Sequence, residues 1–334
     1  MKLAFIAITS GGTELAGRLI PDLTNAALLP RGEKIAATVA AHWQEYDGFV
    51  FIMSAGIVVR TIAPLLVHKH SDPCVIVMDE KGQNVISLLS GHIGGGNRLA
   101  RHLASLTGGS AVITTASDTL QLVPLDLWAR YQHLHVDSRD KLTSASATLV
   151  NHGYLRIYAD IPVDSLPQGL EQTSDWQKAD IIVSHRDIFP EEATIFRPEN
   201  LVVGTGCNRG TPAAEFEECL EELLTKCKLS RSSIRNLASI DKKNDETGLL
   251  QFAENNHWRI DFYDKDAINT LNNLEISVAA LKAVGAIGVA EPTALLSSRT
   301  NLLISRKRKW KNITMAIARA PFTLSALVRD QKDI

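Results

Sequence analysis

Between Val85 and Leu106 the chain changes period within a few residues. Val85-Ile-Ser-Leu-Leu89 is an apolar run of strand length. Ser90-Gly-His-Ile-Gly-Gly-Gly-Asn97 follows with three consecutive glycines, and Leu99, Leu103 and Leu106 then recur at helical spacing. Strand, glycine-rich corner, helix is the repeating element of sheets covered by helices. Glycine lacks a Cβ, so such a corner can aim several backbone N–H groups at one spot, and the next helix adds the positive end of its dipole. A carboxylate or phosphate suits that place. His92 stands in its rim as an ionisable group, although many such corners only turn the chain.

The same figure recurs along the first third. Leu3–Ile8 reads as a strand, Thr9-Ser-Gly-Gly12 as its turn and Thr13–Ile20 as a helix. A second helix spans 33–43, with Ile35, Val39 and Trp43 on one face. Phe49–Met53 is the next strand and ends at Ser54-Ala-Gly-Ile-Val58, with Arg60 in the first turns of the helix beyond. Ser54, Gly56 and Arg60 thus make a second anion corner, the arginine being able to grip a carboxylate as a fork. Cys74–Met78 and Asn84–Leu89 read as strands joined by a hairpin-type turn, Asp79-Glu-Lys-Gly82. Ala111–Thr115 closes the block and ends in Ala116-Ser-Asp118. Ligands of helix-covered parallel sheets bind at strand C-terminal ends. The expectation is therefore that Ser54–Gly56, Ser90–Asn97 and Thr114–Asp118 converge.

Beyond Leu125 the pattern is helical to Val150, with a break at His135–Asp137, and Tyr154–Tyr158 and Asp180–Val183 read as strands. Nothing from 125 to 198 has the residue types or spacing of chemistry, and Phe189–Asn200, with Pro190 and Pro198, reads as a linker. A new block opens at Leu201, where a strand meets a glycine turn of Gly204, Gly206 and Gly210. Pro212 suits the first turn of the helix that runs to Cys227. Arg235–Ile240 is a strand ending at Asp241-Lys-Lys243, followed by a helix at Thr247–Asn255 and a strand at Arg259–Tyr263. Glu291, just before Pro292, starts an apolar helix, either as a charge favouring the helix N-terminus or as an acid or base. Leu302–Ile304 and Ile313–Ala318 close the block, with Arg306-Lys-Arg-Lys309 and Lys311 read as a solvated turn between strands in preference to a binding patch. The fold expected is α/β: two mostly parallel, helix-covered sheet domains, 1–124 and 199–334, joined by a smaller middle region, 125–198.

A chain of 334 residues accommodates two or three domains, and 45% hydrophobic with 22% charged residues is ordinary for a globular protein. A net charge of -2 gives no reason to expect nucleic acid or an acidic membrane surface as partner. Four cysteines without a CxxC pair supply neither zinc spacing nor a disulfide framework. No signal peptide and no apolar run of bilayer length is present, so a reduced, cytoplasmic setting is expected. The glycines follow neither GxGxxG nor GxxxxGK[ST], which weakens a nucleotide-binding reading. Several anion corners, few aromatics and no metal cage match a ligand with many carboxylates.

Leu89-Ser-Gly-His-Ile-Gly-Gly-Gly-Asn97, Val112-Ile-Thr-Thr-Ala-Ser-Asp118, Gly204-Thr-Gly-Cys-Asn-Arg-Gly-Thr211, Ser239-Ile-Asp-Lys-Lys243 and Val289-Ala-Glu-Pro-Thr-Ala-Leu-Leu296 occur in this order. Together they resemble the cobalt-precorrin-5A hydrolase family of anaerobic cobalamin biosynthesis, strongly in the first and last blocks and weakly in the middle. The last block also resembles a stand-alone protein of the aerobic route. Thr205 and Asn208 depart from a pattern that more often has an aliphatic and a basic residue there. The resemblance implies a hydrolase that opens the ring-A lactone of cobalt-precorrin-5A with water and releases acetaldehyde, giving cobalt-precorrin-5B. Cobalt travels with the substrate, so no cofactor or protein-bound metal is implied. The partners implied are the cobalt-corrinoid itself and hand-over contacts with neighbouring pathway enzymes; a homodimer stays open. On this reading His92 is the leading acid/base and Glu291 the alternative. Substrate-binding candidates are Ser54, Gly56, Arg60, Ser90, Gly91, Gly94, Gly95, Gly96, Asn97, Thr115 and Asp118 in the first block. In the last they are Gly206, Cys207, Arg209, Gly210, Asp241, Lys242 and Lys243. The competing reading is a non-catalytic carrier of tetrapyrrole intermediates, which needs the carboxylate pockets but no base.

Overall fold

The computed structural model describes residues 1–30, 34–68, 71–92, 94–272 and 274–326. Glu33, where a helix was expected to begin, and Ile93 of the glycine corner lie outside them. The described residues form two units, Met1–Trp128 and Ala129–Ala326.

The first unit runs β1 (Leu3–Ala7), α1 (Ser10–Leu19), β2 (Ala26–Leu28), α2 (Ile35–His42), β3 (Gly48–Ile52), α3 (Ala55–Ile62), β4 (Cys74–Met78), β5 (Asn84–Leu89), α4 (Gly96–Thr107), β6 (Ser110–Val112) and α5 (Ala116–Thr119). Its six strands form one sheet in the order β2-β1-β3-β4-β5-β6. The central strands are apolar at every position because both faces are covered. Leu3, Phe5, Val50, Ile52 and Ile76 pack with the α1 and α4 residues Leu15, Leu19, Leu99 and Leu103. Their alternates Ala4, Phe49, Phe51, Val75 and Val77 pack with Val39, Val58 and Ile62 of α2 and α3. Thr9 is the N-cap of α1 and accepts Gly12 N–H at 3.1 Å. The first helix thus begins at Ser10, and Gly11 and Gly12 lie in its first turn instead of in a separate corner.

One reversal decides where the corners end up. Strands β1 to β4 are parallel, β5 runs antiparallel to β4, and β6 is parallel to β5. The hairpin between β4 and β5 is shaped by Asp79, whose carboxylate accepts the N–H groups of Lys81, Gln83 and Asn84 at 2.9, 3.2 and 2.6 Å, and by Gly82 at φ +69°. The C-terminal ends of β5 and β6 therefore lie at the sheet edge where β1, β3 and β4 begin. Ser90–Asn97 and Thr115–Asp118 share that edge, whereas Ser54–Gly56 and Arg60 follow β3 at the opposite one. The expected convergence of three corners is corrected to two.

In the second unit α6 (Leu125–Tyr131) crosses the boundary and is followed by β7 (Leu134–Val136), α7 (Arg139–His152), β8 (Leu155–Ala159), β9 (Leu170–Gln172), β10 (Ile181–Val183) and β11 (Thr194–Pro198). These strands make a five-stranded sheet, β7-β11-β10-β8-β9. The expected break at 135–137 is strand β7, and the expected linker at 189–200 contains β11. Arg197 is 3% exposed in β11. Its guanidinium donates to Asp137 Oδ2 at 2.8 Å, Asp187 Oδ1 at 3.2 Å and the carbonyls of Arg186 and Ser184 at 2.5 and 3.3 Å, so the charge is fully paired.

The chain continues through β12 (Leu201–Cys207), α8 (Ala213–Cys227), β13 (Ile234–Ile240), α9 (Thr247–Asn255), β14 (Ile260–Tyr263), α10 (Lys265–Asn269), α11 (Val278–Val284), α12 (Ala290–Ser298), β15 (Leu303–Lys309) and β16 (Ile313–Arg319). The sheet order is β14-β13-β12-β16-β15. Parallel β12 to β14 meet an antiparallel β16, which pairs with β15 at the edge. Phe216 and Phe252 of α8 and α9 stack at 5.6 Å over one face, against Leu201, Val203 and Ile317. Across the other face lies α12. A Cβ on Gly204 would sit 1.9 Å from the Ala290 carbonyl oxygen. Gly204 and Gly206 thus lie inside β12, where they admit a helix at close range, and do not form the turn expected of them. The basic cluster read as a solvated turn is largely strand β15 itself.

Candidate functional site

In the first unit the corner after β5 holds His92 against the corner after β6. His92 Nε2 lies 2.9 Å from Asp118 Oδ2 and 3.2 Å from Ser117 Oγ. The same Asp118 oxygen accepts Thr115 Oγ1 at 2.7 Å and Asn97 Nδ2 at 2.8 Å, while Oδ1 accepts Arg101 Nη2 at 2.5 Å. Asn97 Nδ2 also donates to Thr115 Oγ1 at 3.0 Å. Burial works against ionising Asp118, but the hydrogen bonds from Arg101, Thr115 and His92 outweigh it and hold the carboxyl down at about 2. An ionised Asp118 makes Nε2 the protonated nitrogen of neutral His92 and leaves Nδ1 as the basic one.

The glycines serve this geometry more than they serve a ligand. Gly95 N–H bonds His92 O at 3.0 Å, Gly96 N–H bonds Ser90 O at 3.3 Å and Asn97 N–H bonds Gly91 O at 2.9 Å. Two of the three glycine amides expected to face a ligand are therefore committed inside the corner. A Cβ on Gly91 would lie 2.4 Å from Asn97 Oδ1, and one on Gly94 2.6 Å from Ser90 O. Ser90 sits at φ 52°, a left-handed conformation rare for a residue with a side chain, and its hydroxyl donates to Asp72 O at 3.0 Å. Of the predicted residues, His92, Asn97, Thr115 and Asp118 come together. Arg101 and Ser117 join them unpredicted. Arg101 follows Asn97 by one helical turn, a signal the sequence did contain.

At the opposite edge, Ser54 borders a second cavity of about 460 Å³ with Thr9, Asp79, Glu80 and Asn84. Arg60 folds back on its own helix, donating to Gly56 O at 2.9 Å, and does not line that cavity.

In the second unit a cavity of about 340 Å³ lies at the C-terminal ends of β12 and β13. Gly206, Cys207, Lys243 and Glu291 line it, with Asn208, Lys307, Lys309, Lys311 and the α11 residues Ala279, Ala280 and Ala283. Glu291 is 6% exposed. The register of β15 against β16 shifts between Ser305 and Arg308, and the Lys307 N–H turns to Glu291 Oε1 at 2.9 Å. Glu291 thus stands in the first turn of α12, as a charge at the helix N-terminus would, and its carboxylate is also held by strand β15. Lys243 is 8% exposed, and its Nζ meets Glu246 Oε2 at 3.1 Å. Burial pushes the Cys207 thiol up to about 11, so it stays protonated at neutral pH. Arg209, Gly210, Asp241 and Lys242 stand outside this cavity. Arg209 donates to Asp245 Oδ1 at 2.5 Å and Lys242 O at 3.0 Å, Gly210 N–H to Glu246 Oε1 at 2.7 Å, and Lys242 Nζ to Val284 O at 3.2 Å. They brace the loop that Lys243 leaves. Asn208, at the position departing from the family pattern, bonds Asn312 through backbone and side chain at 2.9 and 3.1 Å.

Among the described residues no three or more His, Cys, Asp or Glu side chains are grouped to hold a metal ion, and no helix is long and apolar enough to cross a membrane.

Helix-covered sheets, with a histidine–aspartate pair in one unit and a lysine-lined pocket in the other, define an α/β protein. Residues 37–118 match the family described as Cobalamin synthesis G N-terminal, and 201–318 the family described as Cobalamin synthesis G C-terminus. The chain is 34% identical to a cobalt-precorrin-5A hydrolase of Priestia megaterium, covering 96% of this chain and 95% of that protein. Against a cobalt-precorrin-5A hydrolase of Salmonella typhimurium LT2 it is 33% identical, covering 95% and 98%. It belongs to the cobalt-precorrin-5A hydrolase family. Part of the chain, 39%, is 34% identical to Protein CobE of Sinorhizobium sp, covering 86% of that protein.

Proposed function

We propose that this chain opens the ring-A lactone of cobalt-precorrin-5A with water and releases acetaldehyde to give cobalt-precorrin-5B. The observation that carries the reading is its match to curated hydrolases at 34% identity along 96% of its length. The geometry supports a base as well as a binding surface, which favours an enzyme over a carrier. His92 Nδ1 takes the proton from water as it attacks the lactone carbonyl, with Asp118 holding the ring and stabilising the imidazolium. Gly94 N–H has no acceptor among the described residues, as is true of Gly91 and His92 N–H in the same corner, and it is the oxyanion donor of this scheme. Acyl–oxygen cleavage yields the ring-A acetate and an alkoxide on the extruded two-carbon arm. Collapse of that alkoxide to acetaldehyde breaks the C–C bond and leaves the electron pair on the macrocycle, which takes up a proton. Cobalt is part of the substrate, and no resident cofactor enters the scheme. The same proposal places the protein in the cytoplasm, with hand-over contacts to neighbouring pathway enzymes and a homodimer to be read by sedimentation.

The test is turnover of purified cobalt-precorrin-5A in ¹⁸O-water. Acetaldehyde should appear in step with substrate loss, with one ¹⁸O in the new carboxylate. His92→Gln should lower kcat by roughly 10²- to 10⁴-fold. Substrate that binds and is recovered intact would establish the carrier instead.

A further inference from the structure

Lys307, Lys309 and Lys311 line the pocket of the second unit and have no part in the scheme above. They occupy alternate positions at the end of edge strand β15 and in the turn after it, and alternation places residues on one face of a strand. Among the described residues that line the pocket there are four lysines, these three and Lys243, against two glutamates, Glu275 and Glu291. Lys307 Nζ pairs with Glu275 Oε2 at 3.0 Å. Lys309 and Lys311 are exposed and make no hydrogen bond or ion pair through their side chains with the described residues. The backbone that carries them is fixed all the same. Trp310 Nε1 donates to Glu222 Oε2 at 2.8 Å, Arg308 lies over the Trp310 ring at 5.8 Å, and Asn312 Nδ2 donates to Glu215 Oε2 at 3.0 Å. Asn208 ties the same turn to the end of β12. Because the turn is already braced, binding an anion there orders only the lysine side chains and not the backbone that carries them. Ala279, Ala280 and Ala283 form a low, apolar wall.

We infer that this pocket is a polycarboxylate anchor, in which Lys309 and Lys311, backed by Lys307, hold carboxylate side arms of an acidic tetrapyrrole. The inference rests on the proposed substrate class but concerns binding alone. A cavity of about 340 Å³ admits an edge with its arms, not a whole macrocycle.

The test is titration of the full chain with dicyanocobyrinic acid, whose peripheral carboxyls are free, and with its heptamethyl ester. The acid should bind, with affinity falling as salt rises from about 50 to about 300 mM. The ester should bind at least tenfold more weakly. Lys309→Gln/Lys311→Gln should lose tenfold or more for the acid with no change in Tm, since both side chains are exposed. Arg306→Gln removes a charge from the same strand outside the pocket and should leave affinity unchanged. Unaltered binding by the lysine variant, or an equal loss from Arg306→Gln, would overturn the anchor. Hydrolysis is read separately. A wild-type chain that binds the acid but releases no acetaldehyde from cobalt-precorrin-5A rejects the hydrolase and keeps the anchor; a lysine variant that binds normally while the wild type hydrolyses does the reverse.

Discussion

Asp118 gathers four donors, from His92, Asn97, Thr115 and Arg101, on two oxygens, and this sets both the charge and the direction of the pair. Its carboxyl is held at about 2 against an ordinary value of 3.8. A depressed carboxyl stabilises the fold above its unfolded value and loses that contribution as pH falls through the folded one. Asp118→Asn should therefore cost about 1 to 2 kcal/mol near pH 7, after discounting for the exposed Arg101 partner. The cost should shrink between about pH 4 and pH 2. Urea titrations of both proteins across that range check it, and a pH-independent difference would show that the hydrogen bonds matter without the charge. Turnover should fall more steeply than stability, because without the carboxylate Nε2 is no longer the fixed proton donor of the ring. His92, Asn97, Thr115 and Asp118 were all legible as corner residues in the sequence. What was not legible is that Asn97 and Thr115 face the aspartate and not a ligand, since corner position does not say which way a short polar side chain turns.

At the scale of elements, two glycines of one motif do different work. Gly204 lies in β12 beneath α12, where a Cβ would meet Ala290 O at 1.9 Å and Ala294 N at 2.8 Å. Gly210 has open space but φ +75°. Gly204→Ala should destabilise by about 3 kcal/mol or more by forcing backbone apart, and should disturb the first turn of α12 that carries Glu291. Gly210→Ala should cost only about 1 kcal/mol, the usual strain of a left-handed position. Paired melting curves check the contrast, and equal losses would mean that α12 gives way without cost. The same distinction explains what the sequence showed and hid. Period-two and period-3.6 runs marked the long strands and helices, because their apolar faces answer to a core. Three-residue β7 and proline-ended β11 carry too few alternating positions to be read, and a buried arginine disguises the latter. The reversal at β5 is implicit in the Asp79–Gly82 hairpin, and it is this reversal that sends the Ser54 corner to the opposite edge. The lysine row is visible in the sequence, but charge ranks a solvated turn above a binding patch, whereas its alternation suggests an edge strand with one face over a pocket.

For the whole molecule, a net charge of -2 means that no global field draws in an acidic ligand, so attraction must come from local sites. Every residue lining the lysine pocket lies between Gly206 and Thr314, and the core beneath it runs from Leu201 to Ile317. The middle sheet reaches this block through short main-chain bonds such as Ser230 N–H to His185 O and Asp187 N–H to Lys228 O, both 2.8 Å. A fragment spanning 199–326 should therefore fold cooperatively, less stable than the full chain by a few kcal/mol at about 1 kcal/mol for each bond lost. It should bind dicyanocobyrinic acid within about threefold of the full chain, as distant sites contribute independently. It should release no acetaldehyde from cobalt-precorrin-5A, because His92 and Asp118 belong to the first unit. Circular dichroism melting, titration and acetaldehyde assay read the three claims one by one. A fragment that melts without cooperativity would show that the two sheets of the second unit share one folding core. A fragment that still hydrolyses would transfer the base from His92 to Glu291, whose second carboxylate oxygen has no partner among the described residues and stands in the same pocket as the lysines.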